Sequence, residues 1–354
     1  MVWKRWCVCV CFLVVCVAAI CSCGASLIGK LSYTSQTADP LAVYSLTGNT
    51  SPVLDPSIIR AGSTYYSFST DVVGSGIVSH LPIRCSQDKL NWRACGSVFP
   101  DSIPAWVSGV VAGNAGLWAP DVSFFNSQYH VYYCASTLGS QQSVIGLATN
   151  TTLDPNDPAY RWVDRGLVLA SHTGEDFNAL DPNILAEHNG KVWLTYGSYW
   201  SGIKQREIDP ATGLLSTSNP KRYDLATRPG VSRNPIEGAS LIAHGDYYYL
   251  FVSVDFCCEP QTAQDNYKQA VGRASSPHGP FVDEDGTPLL SGGGTVLLQG
   301  NTSWNAPGGG SAFVTPDGGD SIIAFHAQNL KRGATPYQWI KTLNWENGWP
   351  VLHD

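Results

Sequence analysis

Four acidic side chains of this 354-residue chain, Asp55, Asp121, Asp181 and Glu237, each stand at the head of a short apolar run. An Asp beside a Pro is commonly a turn former, because its carboxylate caps its own following amides while the ring presets the turn. Asp55-Pro56 and Asp181-Pro182 fit that description, as do Asp154-Pro155, Asp157-Pro158 and Asp209-Pro210. Glu237 lies between Ile236 and Gly238, with apolar sequence just downstream, and turn chemistry does not ask for it. A Glu in a semi-apolar cleft has its charged form disfavoured, so its pKa rises and it can deliver a proton near neutrality. Faced across a pocket by an ionised carboxylate, it would supply the two groups that hydrolysis of a glycosidic bond requires.

Such a pairing needs a fold that brings together residues up to 182 positions apart. An internal repeat provides it: a polar or acidic opener, a short apolar strand, a turn, and an aromatic-rich strand ending in small residues. Its copies begin at Asp55, Pro120, Asp181, Ile236 and Gly308. Asn189-Gly190 and His244-Gly245-Asp246 are hairpin signals between two such strands. With Asp55, Asp121, Asp181, Glu237 and Gly309 taken as equivalent, the steps are 66, 60, 56 and 72 residues. Each step holds four ordinary strands with their turns. The expected fold is therefore all-β, a five-bladed β-propeller whose first strands line a central channel. A β-sandwich is the competing all-β arrangement, but it does not explain one opener recurring at near-equal intervals.

Flat aromatic faces for sugar rings are available at Trp118, beside Ala119-Pro120-Asp121, and at Tyr199-Trp200, at the end of a second strand. Core packing is the alternative for any of the 12 Trp. Charged residues are only 14% of the chain, and 28 acids outnumber 21 bases, for a net charge of −7. That balance argues against nucleic acid or an anionic membrane as the main partner, and suits a neutral polysaccharide.

Lys4 and Arg5 precede the apolar run Trp6 to Cys21, and small residues follow to Ser26. This is the pattern of a secretory signal peptide over residues 1–25, with a single catalytic domain over 26–354; the run is short for a membrane span. Cleavage removes six of the 11 cysteines and two bases but no acid, which takes the net charge to −9. Of the rest, Cys85 and Cys95 could bridge, Cys257-Cys258 could form a vicinal pair, and Cys134 reads as a buried free thiol. Sequons begin at Asn49, Asn150 and Asn301.

Seven motifs then coincide in order and spacing: Asp55-Pro56-Ser57, Leu117 to Val122, Ala179 to Asn183, Gly197 to Ile203, Arg233 to Gly238, Phe256 to Cys258, and Val271 to Ala274. Together they resemble glycoside hydrolase family 43 and, within it, the arabinanases (arabinan endo-1,5-α-L-arabinosidases), over nearly all of the mature chain. The resemblance implies a five-bladed propeller and an inverting mechanism. It implies Asp55 as general base, Glu237 as general acid, and Asp181 as the third acid that raises the pKa of Glu237 and orients it. Trp118, Asp121, Asn183, Ser198, Tyr199, Trp200 and His326 are the expected substrate contacts. His326, in Phe325-His326-Ala327, is equally compatible with a hydrogen-bonded core histidine.

The resemblance also implies a channel calcium ion held with help from a His in a Gly-Pro-Gly-His stretch of the fifth blade. This chain reads Ala306-Pro307-Gly308-Gly309-Gly310-Ser311 there, so that His is missing at Gly309 or Gly310. No metal ligand and no required cofactor are assigned. The expected activity is secreted, extracellular hydrolysis of plant cell-wall arabinan or arabino-oligosaccharides by a monomer, endo-acting, without nucleic-acid or membrane partners. An exo-acting arabinofuranosidase or β-xylosidase on the same scaffold is the alternative, and a non-catalytic sugar-binding propeller is a third reading. Glu259 to Lys268 and the Gly-rich run Ser291 to Gly294 are the segments expected to block or open the groove.

Overall fold

A computed structural model describes residues 30–34, 38–71, 79–114, 116–257, 266–315 and 318–353. The expected leader, Cys258 and residues 259–265 lie outside the described residues. The strands form five separate sheets arranged as the blades of a propeller. Blade I runs from Ser57 to Phe99, blade II from Trp118 to Ser171, blade III from Asn183 to Ala226, blade IV from Ile236 to Leu298, and blade V from Trp304 to His353. Within each blade successive strands pair antiparallel from the channel outwards. The innermost strands are Ser57–Ala61, Trp118–Phe125, Asn183–Ala186, Ile236–His244 and Trp304–Val314. Each touches the next, and the fifth touches the first, so the ring closes.

A blade buries both faces of its sheet against its neighbours, which explains why second strands such as Gln128–Ala135 read as continuous aromatic and apolar runs rather than alternating ones. The apolar core is accordingly five wedges, one for each seam between blades. Four wedges are large. The fifth, between blades V and I, holds only Leu46, Ile58, Tyr65, Trp92, Ile322 and Ala324 as buried members among the described residues. Polar bonds supplement it: Val53 N donates to Pro336 O at 3.1 Å, Gln338 N to Thr50 O at 2.8 Å, and Ser67 Oγ to Gln338 Oε1 at 2.6 Å. Asp320 of blade V also gathers Arg60, Lys89 and Tyr65 of blade I.

The inner strands reveal the true register of the repeat. Asp55, Ala119, Asp181, Gly238 and Gly309 all have φ between 39 and 57°. Two residues beyond each stands a polar side chain: Ser57, Asp121, Asn183, Ser240 and Ser311. At four seams that side chain accepts a backbone N–H of the next blade. Val122 N donates to Ser57 Oγ (3.0 Å), Ile184 N to Asp121 Oδ2 (2.9 Å), Leu241 N to Asn183 Oδ1 (2.7 Å) and Ala312 N to Ser240 Oγ (3.1 Å). The alignment expected from sequence is therefore corrected. Asp121 is equivalent to Ser57 rather than Asp55, Glu237 precedes the left-handed position by one residue, and Ala119 takes the Asp55 place in blade II. The acidic-opener pattern concealed this because Asp serves both as opener and as seam acceptor.

Other expectations meet the structure directly. Both hairpin turns form where expected, with His244 paired to Tyr247 across Gly245-Asp246. Cys85 and Cys95 are joined, and Cys134 is a buried free thiol. Asn49 is exposed, Asn150 is buried with Oδ1 accepting from Arg161 N, and Asn301 Nδ2 donates to Asp39 Oδ2. The Gly-rich run Ser291 to Gly294 is not at the channel. It packs into the outer part of blade IV, where Gly294 N donates to Asp283 Oδ2 and a Cβ on Gly293 would meet Thr287 O, so it blocks nothing.

Candidate active site

At one end of the channel all five blades contribute to a cavity of about 1310 Å³. Asp55, Asp121, Asp181 and Glu237 all line it, with Trp118, Asn183, Ser198, Tyr199 and Trp200. The geometry that the acid–base reading demands, Asp55 and Glu237 facing one space, is therefore present. His326 is different: it is fully buried behind Asp55 and lies outside the cavity lining.

Asp55 is placed by two neighbours. Its backbone N–H donates to His326 Nδ1 at 3.2 Å, and its Oδ2 accepts from Thr70 Oγ1 at 2.6 Å. Thr70 Oγ1 in turn accepts from Ala119 N at 2.8 Å, which fixes the direction of its hydroxyl proton towards Asp55. Burial pushes the Asp55 carboxyl up to about 6, against the lowering effect of the Thr70 bond. Burial also holds His326 down to about 4, so this imidazole is neutral near pH 7 and acts as an acceptor, not as a cationic partner for Asp55.

Glu237 sits in another environment. Its Oε2 accepts from Ser198 Oγ at 2.6 Å and its Oε1 from Tyr267 OH at 3.0 Å. Burial raises its pKa, the two hydroxyls and the nearby Arg233 lower it, and the charge of Asp55 raises it. Asp181 stands beside it with Oδ2 accepting from Gly238 N at 3.0 Å. Burial first, then the charges of Glu237 and Asp55, drive the Asp181 carboxyl well above its ordinary value. Three carboxyl groups in one desolvated space cannot all be ionised near neutrality, so the Asp181–Glu237 pair retains a proton. Cys134 donates its Sγ–H to Trp118 O at 3.3 Å, which gives the buried thiol a structural use at the inner strand of blade II.

Asp121 reaches the cavity, but its oxygens are committed. Oδ1 accepts from Ser57 Oγ (3.3 Å) and Asn183 Nδ2 (3.0 Å), and Oδ2 from Ile184 N. Asn183 is likewise engaged through its Oδ1 with Leu241 N. These two expected substrate contacts are seam residues, and Ser198 is occupied by Glu237. The aromatic lip is available: Trp118 is half-buried at the lining and Trp200 is 37% exposed. Tyr199, Trp200, Arg233 and Asn234 all have positive φ. The two turns that carry them are tied together by Asn234 Nδ2 to Trp200 O (2.7 Å) and Tyr199 N to Ile236 O (2.9 Å). Non-glycine residues persist in this region only where surrounding bonds over-determine them, and such strain concentrates at functional sites.

Sequence reasoning missed Thr70, Tyr267 and Arg233. Thr70 and Ser198 belong to the small residues that end the second strands of the repeat, so that signal was readable. Tyr267 lies in the segment expected to shape the groove, yet nothing in its spacing assigns it a hydrogen bond to Glu237. Arg233, with its guanidinium over the rings of Tyr199 (5.3 Å) and Phe256 (5.7 Å), falls inside a recognised motif without a distinguishing pattern.

The His that the resemblance implies for a channel calcium ion has no counterpart in this chain. A Cβ on Gly309 would stand 2.4 Å from Asp55 Oδ1 and 2.9 Å from His326 Nδ1, so no imidazole can extend from this position without displacing Asp55. Gly310 is closed in the same way by Gln269 Oε1 at 2.5 Å. Among the described residues no group of three His, Cys, Asp or Glu side chains is placed to hold a metal ion.

Residues 50–350 match the model of the family described as Glycosyl hydrolases family 43. The chain is 34% identical over 329 residues to the extracellular endo-alpha-(1->5)-L-arabinanase 1 of Bacillus subtilis (strain 168), covering 92% of this chain and 95% of that one. It is 35% identical over 314 residues to the extracellular exo-alpha-(1->5)-L-arabinofuranosidase ArbA of Cellvibrio japonicus (strain Ueda107), covering 85% and 86%. In structure it is similar to an exo-1,5-alpha-L-arabinanase from a bovine ruminal metagenomic library, with a TM-score of 0.77 at 34% identity, covering 88% and 100%.

Proposed function

The chain belongs to glycosyl hydrolases family 43 and is an inverting glycoside hydrolase, and from that premise we propose that it cleaves α-1,5-linked L-arabinan internally, with Asp55 as base and Glu237 as acid. The observation that carries the reading is the opposite furnishing of two carboxyl groups on one cavity. Asp55 faces the Thr70 hydroxyl and the His326 imidazole, whereas Glu237 shares its wall with a second carboxyl group, Asp181. Asp55 ionises first and accepts a proton from the water that attacks the anomeric carbon. The Asp181–Glu237 pair keeps one proton, which Glu237 delivers to the departing glycosidic oxygen. Inversion asks for roughly 6.5–9.5 Å between acid and base so that the water fits.

Cavity size supports internal cleavage. Sites for single small ligands occupy about 300–1,000 Å³; this one is larger, and all five blades contribute to its lining. Several sugar units fit such a space, with Trp118 and Trp200 as stacking faces. The relatives include both endo and exo enzymes at 34% and 35% identity, so the mode of action rests on the groove and not on the likeness. The reading of residues 1–25 as a secretory leader accords with the word extracellular in the names of both relatives. Among the described residues no helix is long and apolar enough to cross a membrane.

Incubation of the purified protein with debranched linear arabinan, followed by sizing of products over time, tests this. Internal cleavage gives a ladder of intermediate oligosaccharides early in the reaction. Arabinose or one short product from the first time point would make it exo-acting, and release of xylose from xylo-oligosaccharides alone would replace the substrate.

A further inference from the structure

Asp121 is a buried carboxylate that the acid–base scheme does not use. At the seams between blades I and II, III and IV, and IV and V, the equivalent positions carry Ser57, Asn183 and Ser240, neutral groups that accept the next blade's N–H. A seam therefore does not require a carboxylate, and burying one is costly unless donors surround it. Burial raises Asp121 to about 7, while three donors, Ile184 N, Asn183 Nδ2 and Ser57 Oγ, favour its ionised form. What distinguishes its seam is its neighbours. Ser57 lies two residues past Asp55, and Asn183 and Ile184 lie two and three residues past Asp181. Asn183 Oδ1 then holds Leu241 N, four residues past Glu237.

We propose that Asp121 is a positioning residue for the reaction: one carboxylate ties the segment bearing Asp55 to the segment bearing Asp181, and through Asn183 to that bearing Glu237, and so sets the separation of base and acid. The idea rests on the assignment of those acids. A carboxylate can take both the Ser57 hydroxyl and the Asn183 amide on one oxygen while the other takes Ile184 N. An amide at this position must turn an NH₂ towards one of those donors, which pushes the two segments apart without emptying the seam. Inverting hydrolysis is sensitive to such a change because the attacking water must fit between its two groups.

Asp121→Asn tests this on the whole protein, with Asp55→Asn and Ser240→Ala beside it. We expect Asp121→Asn to stay folded by circular dichroism, with kcat on linear arabinan down at least tenfold, KM within about twofold, and both limbs of the pH–rate profile displaced. Ser240→Ala breaks the same kind of bond at the seam between blades IV and V, outside the Asp55–Asp181 span, and is expected to lower Tm while kcat per folded molecule stays unchanged. A folded Asp121→Asn with wild-type kcat and pH profile, while Asp55→Asn is inactive, overturns the positioning role alone. An active Asp55→Asn overturns the acid–base assignment instead. Should Asp121→Asn fail to fold, Asn183→Ala removes both the donor to Asp121 and the acceptor for Leu241 N; an undiminished kcat there overturns the proposal equally.

Discussion

The two walls of the cavity handle the same problem, a buried carboxyl group, in opposite ways. The Asp55 wall lies at the seam between blades V and I, where the apolar wedge is thinnest and polar bonds do much of the joining. There the carboxylate receives Thr70 Oγ1, its backbone leans on a neutral imidazole, and blade V contributes Gly309 with no side chain. The Glu237 wall lies where blades III and IV meet over a large apolar wedge, and it carries a second carboxyl group, Asp181, in the same space. A base must lose its proton early and an acid must keep one. Both carboxyl groups receive hydroxyl hydrogen bonds, one at Asp55 and two at Glu237, so the second buried carboxyl group, Asp181, is what makes the Glu237 wall keep a proton.

The largest test of that contrast is Glu237→Gln. Loss of a positioned proton donor is expected to lower kcat on arabinan by about 10²- to 10⁴-fold with the fold intact. An aryl arabinofuranoside with an acidic leaving group should recover most of that loss, because its departure needs little protonation. Asp55→Asn should show no such recovery. Equal recovery in both variants would erase the distinction between the walls.

Asp181→Asn comes next. Its removal takes away the carboxyl group that shares a retained proton with Glu237, so the site gives up its proton earlier and the alkaline limb of the pH–rate profile moves to lower pH. Stability should move the other way. A carboxyl whose folded pKa is raised favours the folded state below its unfolded pKa, and that advantage disappears as pH rises through the folded value. Asp181→Asn should therefore melt higher than the parent, and by more at pH 8 than at pH 5. A parent whose Tm is flat over that range, or an Asn variant that melts lower, would contradict the buried-charge account.

The smallest effect is expected from Thr70→Val. The Thr70 bond lowers the Asp55 pKa from what burial alone would give. Without it the acid limb, expected near pH 6 in the parent, moves to higher pH. Loss of one hydrogen bond to a charged group, on the order of 1.5 kcal/mol, lowers the rate about tenfold below that limb. An unshifted acid limb would remove Thr70 from the account of the base.

Much of this was legible in the residues. Five copies of an opener, an apolar strand and an aromatic strand were enough for a five-bladed propeller, because a blade buried on both faces leaves a recurrent apolar pattern in the chain. The three acids were visible because Glu237 had no local structural reason to be there and because the surrounding motifs were distinctive. Their register was not visible. Asp121 sits two residues out of line with Asp55, and only the left-handed backbone at Ala119 discloses it. His326, expected as a possible pocket residue, proved to be a buried acceptor behind Asp55.

Local chemistry therefore determined the class of fold, the turns and the residue types that line the cavity, since periodicity and side-chain type are written residue by residue. Tertiary structure alone decided which proton each acid keeps. That depends on Ser198 and Asp181 arriving from blade III beside Glu237, on Thr70 and Tyr267 reaching in from neighbouring strands, and on how much water the closed ring leaves between them. A pKa responds to the distance and burial of groups remote in the chain, and neither quantity exists until the blades close.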